Sequence, residues 1–336
     1  MTTVAFPGLG IKEFTLDPVA FELFGREVRW YGIFITLGIL SAFCYALYRA
    51  KKNEGIKIDD VFDYAIFLVL AGVIGARLYY VVFEFDQIRG ETLGQTLYNI
   101  IAIWEGGLGI YGGIIAGAAA LFLVSKAKRI PIGRAFDMVS PGVMLAQAIG
   151  RWGNFMNGEA YGWSENVASS PFRMYLEGAY HTEIIGGMKV NVAVDYVHPT
   201  FLYESAWNLV GFVLINLFYK RKKFDGQVCF LYLSWYGFGR MFIEGLRTDS
   251  LYLGPFRISQ VVGFVCFIGG ALCAFGIPYL SRRLAAVGSA PADLATLGDG
   301  EPSADEDEPA SDIENDSVSK EEPLTELPQN SDTDEN

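Results

Sequence analysis

Seven stretches of this chain are long and apolar enough to cross a bilayer, and no other feature restricts the fold as much. A spanning helix needs about 20 mostly apolar residues to cross roughly 30 Å of hydrocarbon. The stretches run Trp30 to Tyr48, Val61 to Phe83, Leu108 to Ser125, Asp137 to Met156, Thr200 to Tyr219, Val228 to Glu244 and Ser259 to Leu280. The fourth and sixth are weaker, because polar residues sit at their C-terminal ends. The expectation is an all-α integral membrane protein of seven transmembrane helices, with its membrane domain over residues 30–284.

The connections set an orientation. Arg49, Lys51, Lys52 and Lys57 follow the first stretch, Lys126, Lys128, Arg129 and Arg134 the third, and Lys220 to Lys223 the fifth; Arg282 and Arg283 follow the seventh. An excess of Lys and Arg marks cytoplasmic loops, so these ends are expected inside. Residues 1–29 and the alternate loops are then expected outside. The longest of those loops, about 157–199, mixes Gly, aromatic and charged residues with the alternating run Met188 to Val194, and reads as a small folded extracytoplasmic cap.

Composition enters through the charge. The chain is 51% hydrophobic, yet its net charge is -12. Residues 285–336 hold sixteen Asp and Glu against the single Lys320 and no aromatic residue, which leaves the body mildly basic. Such a segment lacks the apolar periodicity of a core and is expected to be a disordered cytoplasmic tail. Cys44, Cys229, Cys266 and Cys273 all fall in apolar runs without metal or disulfide spacing, so no metal and no cofactor is expected. The N-terminus lacks a basic start and cleavage site, so no removable signal peptide is expected.

The topology gathers polar residues at one depth. Tyr31, Tyr111, Arg151, Asn154, His198, Glu204, Arg240 and Glu244 all fall near the expected outer ends of their stretches. Tyr236, Arg240, Glu244 and Arg247 recur at spacings of four, four and three, which puts them on one helix face. An arginine at mid-membrane costs about 2.5–3.5 kcal/mol on insertion scales, so Arg151 and Arg240 need partners or a wet cavity. Each residue alone has a plainer reading: a structural Arg240–Glu244 ion pair, a snorkelling Arg151, a belt tyrosine at 31. Their convergence favours a binding site. Two guanidinium forks at membrane level suit an anionic lipid headgroup.

GRWGNFMNGEAYG at Gly150 to Gly162 closely resembles the signature of the prolipoprotein diacylglyceryl transferases, enzymes of the bacterial cytoplasmic membrane. Similar stretches are RWYG at Arg29 to Gly32, GARLYYVVFE at Gly75 to Glu84, WEGGLGIYGG at Trp104 to Gly113, HPTFLYES at His198 to Ser205 and YGFGRMFIEGLR at Tyr236 to Arg247. The resemblance implies transfer of the diacylglyceryl group of phosphatidylglycerol to the lipobox cysteine of a preprolipoprotein signal peptide. A thioether forms and glycerol phosphate leaves. Its partners would be those two substrates and membrane lipids, with no nucleic acid. By the same resemblance Arg151 and Arg240 hold the phosphate, Asn154 and Glu159 shape the pocket, and Tyr31 and Tyr236 orient the lipid. Asn157, Glu204, Glu244 and Arg247 join the binding residues.

The thiolate is the nucleophile, and an ordinary cysteine has a pKa of about 8.5, so a base or a positive field is wanted. Some relatives carry histidine where this chain has Tyr111, which leaves the base unassigned between Tyr111 and His198. Arg77 lies deeper, either lining the lipid's path or pairing structurally. Asp63 and Asp137 are expected at helix starts, where the dipole favours an anion. The competing class is a transporter for an anionic or lipid-like substrate. An intramembrane protease is disfavoured, because no serine–histidine pair or aspartate dyad is evident at a common depth.

Overall fold

The computed structural model describes residues 1–185, 188–248, 252–253 and 256–288. The expected disordered tail lies almost wholly outside the described residues. The helices are α1 (Trp30–Arg49), α2 (Ile58–Phe83), α3 (Phe85–Ile88), α4 (Leu93–Ile101), α5 (Ile110–Lys128), α6 (Ile132–Met156), α7 (Thr200–Phe218), α8 (Gln227–Leu246), α9 (Ile258–Ala271) and α10 (Ile277–Gly288). A π turn at Ala50–Glu54 extends α1, and another at Leu272–Gly276 joins α9 to α10.

Five of these helical segments are long and apolar enough to span a membrane: Trp30–Glu54, Ile58–Phe83, Ile110–Lys128, Thr200–Arg221 and Ile258–Arg283. On α2, Ile66, Leu70, Ile74 and Leu78 recur every fourth residue and are each more than half exposed. A stripe of that kind is costly in water and natural in lipid. The remaining two expected spans, α6 and α8, have the length, at 25 and 20 residues, but not the apolarity. The reason is their position. α6 packs against α1, α5, α7 and α8, and α8 against α6, α7 and α9, so both face protein on several sides and carry polar side chains there.

Close approach is set by glycine. A Cβ placed at Gly75 on α2 would lie 2.6 Å from the Gly112 carbonyl oxygen on α5. A Cβ at Gly263 on α9 would meet the Gly237 carbonyl of α8 at 2.9 Å. Backbone contact of this kind is how helices pack where water gives no hydrophobic drive.

At the end of α6 away from Arg151, Asp137 is fully buried and accepts from the backbone N–H of Gly226 at 2.8 Å and of Cys229 at 2.9 Å. It therefore caps the start of α8, not of its own helix as the sequence suggested. Lys222 bridges Asp137 at 3.2 Å and buried Glu54 at 2.7 Å. Asp63 lies in the second turn of α2 and pairs with Lys128, which also meets Asp60 at 3.0 Å.

The all-α expectation needs correction, because strands build the other end. β1 (Thr2–Phe6), β2 (Ile11–Leu16), β5 (Met174–Leu176) and β8 (Tyr196–Val197) form one sheet in the order β2-β1-β5-β8. Val4 pairs with Leu176, so the N-terminal segment and the expected cap share one small core of Val4, Phe6, Leu16, Met174, Leu176 and Val197. Three two-stranded ribbons complete the strands among the described residues: β3 (Val19–Leu23) with β4 (Arg26–Arg29), β6 (Tyr180–Ile185) with β7 (Met188–Ala193), and β9 (Tyr252–Leu253) with β10 (Phe256–Arg257). The alternating run at Met188 is the β7 strand.

Candidate active site

The signature stretch ends α6 and turns back on itself. Arg151 and Asn154 are one helical turn apart, and the Arg151 Nη1 donates to Asn154 Oδ1 at 3.3 Å. Asn154 Nδ2 donates to Glu159 Oε1 at 2.9 Å, and Asn157 Nδ2 to the same oxygen at 3.3 Å. The reversal passes through Gly158 at φ +65°, a conformation only glycine adopts freely. Exposed Glu159 thus orders two amides beside the arginine.

Glu204, in the second turn of α7, receives that arginine. Its carboxylate is 4% exposed, with Arg151 Nε 2.5 Å from Oε2 and Arg240 Nη1 2.5 Å from Oε1. Arg240 turns its other nitrogen, Nη2, to Glu244 Oε2 at 2.5 Å, one turn along α8. Arg247 approaches both acids, at 3.8 Å from Glu204 and 3.9 Å from Glu244. The plain ion-pair reading of Arg240 and Glu244 therefore holds, within a group that draws side chains of α6, α7 and α8 together. Arg257 donates to the Glu244 and Arg247 carbonyls that end α8, where a cation complements the helix dipole.

Among the described residues, Arg151, Arg240 and Arg247 meet the carboxylates of Glu204 and Glu244, so these five side chains together carry one positive charge in a mostly buried place. Such a surplus attracts an anion, and guanidinium forks match phosphate oxygens. A cavity lined by Glu204, Trp207, Asn208, Tyr236 and Arg240 adjoins the group, with about 10 Å³ open to the centre of a water molecule. That is room for about one water and too little for a lipid headgroup.

Below Glu204 and Arg240, Trp207 of α7 and Trp235 of α8 stack at 4.3 Å and 14°. Each indole N–H donates to the other's backbone carbonyl, at 3.0 and 2.9 Å. Each ring lies over a glycine of the opposite helix, Trp235 over Gly211 and Trp207 over Gly239. This reciprocal clasp escaped the sequence reading, where both residues pass for ordinary apolar filling.

Of the other expected site residues, Tyr31 starts α1 against α6, where a Cβ on Gly153 would touch its ring at 3.0 Å. Tyr236 lines the cavity and stacks on Tyr232. Tyr111 pairs its hydroxyl with Ser259 Oγ at 3.1 Å, linking α5 to α9. Arg77 stands apart from the arginine group. It donates from Nε to the Ile100 carbonyl at 3.0 Å, from Nη1 to Gly106 at 2.5 Å and Gly107 at 2.8 Å, and from Nη2 to Asn99. Four hydrogen bonds to backbone carbonyls make it a staple for residues 99–107.

His198 belongs to the cap. Its Nε2 meets Ser164 Oγ at 2.9 Å and its Nδ1 meets Tyr203 Oη at 3.4 Å. The expected absence of a serine–histidine pair is thus corrected: the two residues come from the ends of the cap loop, joined because Gly162 pairs with His198 through backbone hydrogen bonds. Both ring nitrogens are engaged, and burial holds the imidazole below the usual histidine range.

A model of the family described as prolipoprotein diacylglyceryl transferase matches residues 18–275. A Clostridioides difficile protein named phosphatidylglycerol–prolipoprotein diacylglyceryl transferase is 42% identical over 268 residues, covering 80% of this chain and 97% of that protein. Proteins of the same name from Streptococcus pneumoniae serotype 4 and Finegoldia magna are 42% and 41% identical, covering 74% and 76% of this chain and 90% and 94% of their own.

Proposed function

The chain belongs to the prolipoprotein diacylglyceryl transferase family, and from that premise we propose that its arginine group grips the phosphate of phosphatidylglycerol during transfer of diacylglyceryl to a prolipoprotein cysteine. The thiol sulfur attacks the glycerol carbon that bears the phosphate ester. A C–S bond forms and the C–O bond breaks, its electron pair leaving with glycerol phosphate. The thiol proton ends on the phosphate monoester, whose second pKa is near 6, or on water.

Charge builds on the phosphate oxygens as the ester bond breaks, and fixed donors act most strongly there. Arg151 and Arg240 carry this role. Asn154, Asn157 and Glu159 hold the end of α6 in shape, Tyr31 and Tyr236 flank the lipid, and Arg247 with Glu244 trims the charge. With His198 closed off by its two partners, the positive surplus itself favours thiolate over thiol. The observation that carries this reading is the meeting of Arg151 of α6 and Arg240 of α8 on the single buried carboxylate of Glu204.

The same reading takes α6 and α8 as spans, seven in all, with residues 1–29 and the cap outside the cytoplasmic membrane. Incubating the protein with phosphatidylglycerol and a peptide bearing a lipobox cysteine tests the reaction. The peptide is expected to gain one diacylglyceryl mass, and its Cys→Ser form none. A folded protein that leaves the cysteine peptide unmodified sinks the reading.

A further inference from the structure

The hairpin β3–β4 is a two-stranded ribbon that leads into α1 without a linker: β4 ends at Arg29, α1 begins at Trp30, and the Trp30 N–H donates to the Pro18 carbonyl at the ribbon's base. Its register pairs Phe21 with Val28, Glu22 with Glu27 and Leu23 with Arg26. Directly opposed residues share a face, and faces alternate along a strand. One face therefore shows Phe21, Val28, Leu23 and Arg26, and the other shows two opposed glutamates. Phe21 and Leu23 are each about half exposed.

An isolated two-stranded hairpin is marginal in water, because nothing covers its apolar face. Opposed like charges destabilise it further, and the exposed pair of Glu27 with Arg29 at 3.4 Å offsets this only weakly. The tip adds to the cost. Phe24 has φ +51° and Gly25 φ +74°, a turn that favours Asn followed by Gly. Phe24 nevertheless keeps a bulky ring there, 97% exposed. A strained aromatic left this exposed among the described residues gains its contact elsewhere.

We propose that this hairpin lies on the outer lipid surface, with Phe21, Leu23 and Phe24 sunk at the level of the acyl chains, Arg26 among anionic headgroups, and Glu22 and Glu27 facing water. Continuity with α1 puts it there. Taking α1 as a span, Trp30 and Tyr31 sit at the interface, and a ribbon rising directly from Arg29 has no length in which to leave it. The partition of charge suits a phospholipid surface, with the acids on one face and Arg26 beside the apolar groups on the other. A lipid-seated hairpin also anchors the start of α1, where Tyr31 packs on α6 beside the signature stretch.

Glu22→Cys and Phe24→Cys variants in nanodiscs of phosphatidylglycerol and phosphatidylethanolamine test this with a membrane-impermeant maleimide, against the background of the unsubstituted protein. Both positions are exposed, so neither change disturbs packing. Residue 22 is expected to react at least tenfold faster than residue 24. Rates within twofold of each other overturn the proposal. A photo-crosslinking amino acid in place of Phe24 is expected to capture phospholipid; capture of an added signal peptide with no lipid adduct overturns it in favour of a peptide-docking hairpin. Neither readout involves turnover, so this inference and the transferase reading fail separately.

Discussion

Arg151 and Arg240, from different helices, reach opposite oxygens of one carboxylate, that of Glu204, each at 2.5 Å. Glu204→Gln keeps the shape and removes the charge that aims both arginines. Breaking a buried pair typically costs about 3–5 kcal/mol, so the melting temperature is expected to fall. The rate of transfer is expected to drop at least tenfold, while the KM for phosphatidylglycerol stays level or falls, because the positive surplus grows. An unchanged kcat contradicts the aiming role.

The Trp207–Trp235 clasp holds the α7 carrier of Glu204 against the α8 carrier of Arg240. Trp207→Phe and Trp235→Phe keep the stacked rings and lose one hydrogen bond each, at about 0.5–1.5 kcal/mol net per bond. The two changes share one structure, so their effects on denaturation midpoint are expected to be non-additive. Additive losses point to two independent contacts.

His198 sets a pH dependence for the cap. Its folded pKa is depressed by burial, so the folded cap binds a proton less readily than the opened one. The stabilisation is complete above the ordinary histidine range, near 6.5, and is lost as pH falls through that value toward the lower folded one. Hydrogen exchange of the Gly162–His198 backbone pairing is expected to speed up as pH drops from about 7 to 5, after correction for intrinsic exchange. His198→Gln removes the titration; an unaltered pH dependence in that variant excludes His198 as its source.

Arg77→Ala frees the carbonyls of Asn99, Ile100, Gly106 and Gly107. Hydrogen bonds from a charged donor contribute about 1.5–3 kcal/mol each at most, so residues 99–107 are expected to become the first site of limited proteolysis. Loss of activity with no change in protease sensitivity instead assigns Arg77 to the substrate.

The sequence made the helices legible because long apolar runs with charged ends have few other solutions. It also placed Arg240, Glu244 and Arg247 together, since helical spacing alone does that. It was silent where partners are distant. The pairing of Val4 with Leu176 joins strands from opposite ends of the outer segments, and neither strand has enough alternation to announce itself. Ser164 and His198 meet only because the cap folds back. Glu204 was legible as a polar residue at the right depth, but its place between two arginines is a product of α6, α7 and α8 packing. Asp137 was misplaced for the same reason, expected at the start of its own helix when it serves the start of the neighbouring one.

The most direct test of the arginine group is the initial rate of diacylglyceryl transfer for Arg151→Ala, Arg240→Ala and the double variant, each verified as folded. Losing one fixed donor to a developing oxyanion costs about 2.7–4 kcal/mol, roughly 100- to 1000-fold. Each single variant is expected to fall by that factor, and the double variant by far less than the product, as for residues that act as a unit. A single variant that keeps more than a tenth of the activity contradicts the claim that these two side chains hold the leaving phosphate.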